Sequence, residues 1–168
     1  MWQHDYMRRS SRKLANPDLG VLAAKLLLGL QRELFRRTAQ AGFDDLRPRH
    51  GAVLAYLDEE GIRLADLARI AGRNKQTIAA ILDELEGLGY VCRADDPADR
   101  RAKLIMPTDR GRQRMRIGDQ IVADIEKRHA AMLGPAAYAD FIQALRAITC
   151  DDVRGEAVRG RSSGSGTS

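Results

Sequence analysis

The chain has 168 residues, 44% of them apolar and 30% charged, with a formal net charge of +5 and two cysteines. That is enough chain for one domain with appended helices. It has no apolar run of about 18 residues to span a bilayer, no apolar segment of a secretory leader and too few cysteines for a disulfide framework, so cytoplasm is the expected compartment. The positive charge is local. Residues 1–16 hold four basic and one acidic residue, and residues 61–116 hold twelve and eight, while 17–60 and 117–168 are each one acid in excess. Such clustering favours a polyanionic partner.

In chain order, residues 1–16 form a basic arm. Asn16 is placed to cap a helix with Pro17 at its first position, and Leu19, Leu22, Leu26, Leu30 and Leu34 draw one apolar stripe along it. Gly42 ends that helix. A second is expected from Pro48 to Leu57, with Val53, Leu54 and Leu57 inward, and Asp58 to Gly61 form a turn. Two short helical patterns follow, Leu64 to Ala71 and Asn74 to Leu88, joined by Gly72-Arg73 as in a helix-turn-helix, and Gly89 stops the second. The pattern then changes period. Tyr90 to Arg93 and Lys103 to Met106 read as strands around the Asp95–Asp99 turn cluster. Thr108 caps a further helix, striped by Ile117, Ile121, Val122 and Ile125. After Gly134-Pro135 a last helix carries Tyr138, Phe141, Ile142, Leu145 and Ile148, and residues 151–168 have the composition of a disordered tail.

The expected fold is therefore mainly α: a winged helix-turn-helix core at 47–107 with a small antiparallel β wing, flanked by helical regions at 17–46 and 108–150. In such an arrangement the second helix enters the major groove of DNA by its N-terminus. The early residues here are Asn74, Lys75, Gln76 and Thr77. Lys75 suits phosphate or guanine and Gln76 suits an adenine edge, although a cap and a solvated first turn would use the same residues. The wing brings Arg100, Arg101 and Lys103, and a narrow minor groove attracts an inserted arginine. Asp99 is expected to hold a neighbouring guanidinium by a charge-assisted bond.

Residues 64–111, LADLARIAGRNKQTIAAILDELEGLGYVCRADDPADRRAKLIMPTDRG, resemble the winged-helix core of MarR-type bacterial transcriptional regulators. The resemblance implies a homodimer built on the first and last two helices, a palindromic operator, and release from DNA by a small anionic or phenolic ligand. It also assigns Arg101 to the minor groove and Asp99 as its orienting partner. The chain departs from the pattern at Ala79-Ala80, where polar contacts are common, which leaves Ala80 to meet a thymine methyl. It departs again at Arg63, where a Ser or Thr cap is common, so the helix after it is expected to be weakly capped.

A dimer would bury the apolar stripes that the small winged core cannot cover. For a ligand pocket the candidates are Phe43, Arg47, His50, Leu54 and Tyr56, with Arg47 and His50 able to meet a carboxylate. Each is also an ordinary core or surface residue. A winged helix that binds protein, and a redox regulator using Cys92 or Cys150, are the alternatives; the family's redox branch keeps its cysteine near the first helix, where this chain has none. No cofactor, metal-ligand or hydrolase motif is present, and His4, His50 and His129 are scattered, so an enzyme is not expected.

Overall fold

The computed structural model describes residues 9–159 of the chain, in two compact units divided after Val122. The first unit begins with α1 (Arg9–Ala15), inside the stretch expected to be an arm, whose residues 1–8 lie outside the described residues. α2 (Leu19–Gln40) is capped by Asp18 rather than Asn16: the Asp18 carboxylate accepts from the Val21 N–H at 3.0 Å, and its carbonyl accepts from Leu22. An acid two residues on, with its oxygen in reach of a free first-turn N–H, outcompetes the asparagine. The leucines in the N-terminal half of α2 face solvent, with Leu19 75% exposed. At the other end, Gly42 takes φ +94° and turns the chain into Phe43.

The expected helix over Pro48–Leu57 is shorter and split. A 3-10 turn at Pro48–His50 leads into α3 (Gly51–Leu54), and the chain then turns away, with Val53, Leu54 and Leu57 buried as expected. The ring of Phe35 packs on Gly51. β1 (Ile62–Arg63) is a two-residue strand, too short to show as an alternating pattern. α4 (Leu64–Ile70) and α5 (Lys75–Gly87) form the helix-turn-helix, and both begin and end within a residue of the expected positions. Leu67, Ile78, Leu82 and Leu85 fill its core with Val53 and Tyr90.

β2 (Val91–Asp96) and β3 (Asp99–Pro107) make the wing, and the sheet order is β1-β3-β2, all antiparallel. The hairpin is longer than expected, with Pro97 and Ala98 alone between the strands and an irregularity between Asp95 and Asp96. α6 (Asp109–Leu133) starts where β3 ends. Thr108 caps it, accepting from the Gly111 N–H at 3.1 Å while donating its hydroxyl to the Gly89 carbonyl. Gly111 lets the helix approach the sheet: a Cβ there would stand 2.1 Å from the Tyr90 carbonyl oxygen.

The second unit comprises the end of α6 and α7 (Pro135–Arg159), joined at Gly134 with φ +89°. The Tyr138 and Phe141 rings lie 6.3 Å apart. α7 continues through Asp151 to Arg159, so the first half of the expected disordered tail is helical; residues 160–168 lie outside the described residues. Acidic and basic residues in DDVRGEAVR are compatible with a helix once the preceding turns have nucleated it. Among the described residues no helix is long and apolar enough to cross a membrane.

The contact at Gly111 generates a stability prediction. Gly111→Ala gains helix propensity but forces α6 off the Tyr90 carbonyl, so stability should fall by about 1–3 kcal/mol and the urea midpoint with it. An unchanged or higher midpoint would mean that the helix is not seated there.

Candidate nucleic-acid interface

The outward side of α5 divides by charge. Asn74 is its cap: the side-chain oxygen accepts from the Thr77 N–H at 2.8 Å, leaving only the amide nitrogen for another partner. Lys75, Gln76, Thr77 and Ala80 are exposed, with Ala79 half-buried beside them. The second half of α5 is acidic, but its acids are engaged. Arg93, on β2, reaches both Asp83 and Glu86. Glu84 accepts from Arg49 and from His50, each at 2.8 Å, and the His50 bond followed by the Arg49 bond holds its carboxyl below the usual range. The N-terminal half of α5 is thus left as its cationic end, where the helix dipole is also positive.

His50 is a structural residue by its surroundings. It is buried, and its Nδ1 accepts from the Arg47 N–H at 3.0 Å, which makes Nε2 the protonated nitrogen facing Glu84 in the neutral ring. Phe43 and Leu54 are core residues, Phe43 lying 6.1 Å from the Tyr90 ring. Of the five expected ligand residues only Arg47 and Tyr56 are exposed.

On the wing, Arg101 and Lys103 share a face of β3 with the buried Ile105, placed beyond the core by the strand's two-residue period. Lys103 is paired with Asp95 directly across the hairpin. Among the described residues neither Lys75 nor Arg101 has an ion-pair partner. The side chain of Arg100, like that of Cys150, lies outside the described residues; Cys92 is exposed on β2.

The Asp99 carboxylate accepts from the backbone N–H of Arg101 at 3.1 Å, shaping the turn, and Asp96 holds the guanidinium of Arg63. Asp96 is 5% exposed, accepts from the Ala98 N–H at 2.8 Å and takes the Nε–H of Arg63 at 2.7 Å. Arg63 stands at the N-terminus of α4, which has no side-chain cap as expected, and its side chain crosses β3 to clamp the wing's turn. In the sequence Arg63 shows only as a missing cap, because its partner is 33 residues away. The Ala98 N–H first, and Arg63 second, hold the Asp96 carboxyl below its ordinary 3.8.

A group whose folded value is depressed contributes its stabilisation above its unfolded value and loses it as pH falls through the folded one. The Ala98 amide resonance should therefore titrate with a midpoint below 3.8, and Asp96→Asn should abolish that titration. A midpoint at or above 3.8 in the parent would contradict the clamp.

This arrangement has relatives. Residues 44–102 match the family model described as MarR family. The transcriptional regulator HosA of Escherichia coli O111:H- is 29% identical over 103 residues, spanning 61% of this chain and 76% of HosA. The transcriptional repressor CouR bound to a 23-mer DNA duplex superimposes with a TM-score of 0.66 at 28% identity, over 82% of this chain and 95% of that one. CouR from Rhodococcus jostii RHA1 bound to p-coumaroyl-CoA gives 0.65 at 27%, over 80% and 93%. These relatives are named as transcriptional regulators, not enzymes. With its helix-turn-helix and its three-stranded wing, the chain is similar to the MarR family of winged-helix transcriptional regulators, and residues 44–102 match that family's model.

Proposed function

We propose that this protein is a cytoplasmic, sequence-specific double-stranded DNA-binding repressor that acts as a homodimer on a palindromic operator and is released by a small anionic or phenolic ligand. The observation that carries the reading is the pair of exposed cations without ion-pair partners among the described residues, Lys75 at the start of α5 and Arg101 on the wing. Each stands where a winged helix meets a groove. Residues 47–107 form the DNA-binding region, and 17–46 with 108–150 the dimerisation region. Lys75 takes a phosphate or a guanine edge, Gln76 an adenine edge, Thr77 a backbone oxygen and Ala80 a thymine methyl. Asn74 fixes the helix start, and Asp99 shapes the wing turn from which Arg100 and Arg101 enter the minor groove. Lys103 exchanges Asp95 for phosphate.

The homodimer is supported by the exposed leucines of α2, Leu22, Leu26, Leu27 and Leu28 among them, which have no place in the winged core. A twofold pair would set two recognition helices about one DNA turn (roughly 34 Å) apart. The ligand is supported by the neighbour solved with p-coumaroyl-CoA.

Selection of bound sequences from a random duplex pool tests the operator directly, and a palindrome is expected. Arg101→Ala should weaken binding by about 1–3 kcal/mol, or about 5- to 150-fold, with the fold intact by circular dichroism. Lys75→Ala should reduce the slope of log affinity against log salt by about 1 if it meets phosphate, or relax a single base position if it meets guanine. A monomer in solution that retains no duplex at low salt would overturn the proposal, and unchanged affinity in Arg101→Ala would remove the wing from it.

A further inference from the structure

The wing carries Arg101 at a place that its own ladder does not fix. β2 and β3 pair Asp95 with Lys103 and then Asp96 with Asp99, so Arg100, Arg101 and Ala102 stand between two pairs with no residue of β2 opposite them. Such a bulge bends its strand and leaves the extra residues unpaired. The Arg101 N–H is met instead by the Asp99 carboxylate at 3.1 Å, and Asp99 closes the turn through Pro97 and Ala98. The direction of Arg101 therefore depends on that turn.

The turn is held from outside the hairpin. Asp96 divides its carboxylate: Oδ1 accepts from the Ala98 N–H at 2.8 Å, while Oδ2 accepts from Arg63 Nε at 2.7 Å and pairs also with Nη2. Charge-assisted bonds of this kind are the strong ones. Arg63 is anchored on both sides, by the pairing of β1 with Leu104 of β3 and by the start of α4, which its side chain does not cap. Asp99 and Asp66 add negative charge around the same guanidinium. Asp96 is buried, and breaking a buried ion pair by removing one partner leaves an uncompensated charge. Without Arg63 the carboxylate would have to turn to water and release the Ala98 N–H.

We propose that Arg63 is a positioning residue for DNA recognition: by clamping Asp96 it fixes the turn of the wing and so aims Arg101, and it affects the duplex only through that arginine. The inference rests on the proposed reading of Arg101 as the wing's DNA contact. The links run from Arg63 to Asp96, from Asp96 to the Ala98 N–H, and through the turn to Asp99 and the Arg101 N–H. Each is a single bond, so cutting the first frees the last.

The test is a double-variant cycle on the full chain, with the duplex that the parent selects and at one salt concentration. Arg63→Met should weaken binding by about 3- to 30-fold, and Arg63→Met with Arg101→Ala should bind no more than about twofold weaker than Arg101→Ala alone. Should Arg63→Met fail to fold by circular dichroism, Arg63→Lys, which keeps a cation for Asp96 but not the fork, takes its place with the same cycle and a smaller loss. Free of DNA, the backbone order parameter of Arg101 should fall from about 0.85 in the parent to below about 0.6 in the Arg63 variant, with Leu82 and Leu85 unchanged. Losses that multiply in the double variant, or a salt slope that the Arg63 change lowers even beside Arg101→Ala, would make Arg63 a DNA contact in its own right and overturn the proposal. Unchanged affinity, or an Arg101 order parameter that does not move, would overturn it too. The parent alone tests the proposed function: a parent that selects an operator while Arg63→Met binds it equally well keeps that function and removes the clamp's role, and a parent that binds no duplex removes both.

Discussion

Tyr90 is the joint on which the arrangement depends. Its N–H donates to the Leu85 carbonyl at the end of the recognition helix, and its carbonyl accepts from Thr108 at the start of α6. Its hydroxyl donates to Asp45 after α2, and Arg110 lies over its ring at 4.4 Å. Burial alone would push the Asp45 carboxyl up, but the Tyr90 bond and the Arg110 charge outweigh it, so the acid remains ionised in place. Burial and the Asp45 bond together drive the Tyr90 phenol well above its ordinary range, so it remains a donor. One fully buried residue thus fixes the spacing between the recognition helix, the wing that begins at Val91 and the long helix beyond it. A fully satisfied network of this kind rigidifies what it joins.

Electrostatics then sorts the surface that this joint holds. The acids of α5 are answered by Arg49, His50 and Arg93, and Asp95 by Lys103. Exposed pairs of this sort add little stability. Their effect is to cancel negative charge that would otherwise face an approaching polyanion, leaving the helix dipole, Lys75 and Arg101 to set the sign of the field. Arg63 and Asp96 do something different: their contact joins the start of α4 to the wing's turn, so the hairpin is held against the helix-turn-helix and not merely attached at its base.

Arg114 contrasts with the arginines on that surface. Arg93 and Arg63 each face carboxylates that the fold supplies, whereas Arg114 occupies a core position with its Nε unanswered. Of the five ligand candidates in the sequence, Phe43, His50 and Leu54 are committed to the core or to partners within the chain. An arginine inside a striped helix did not stand out beside so many surface arginines on α6.

The helix-turn-helix with its Asn74 cap, the hairpin, the Thr108 cap and the order of the longer helices were legible in the sequence. Each depends on interactions a few residues apart, which leave a local pattern: apolar side chains every three or four residues, a capping oxygen three residues before the N–H it accepts, glycine where φ is positive. Tertiary structure alone decided the rest. The strand Ile62–Arg63 exists because β3 offers it an edge, Arg63 became a clamp because Asp96 lies across the sheet, and His50 was fixed by Glu84. Arg114 became a buried cation only when α6 turned that face inward. These are pairings between residues tens of positions apart, or the burial of one face over another, and their energies depend on distance and desolvation that only the folded chain sets.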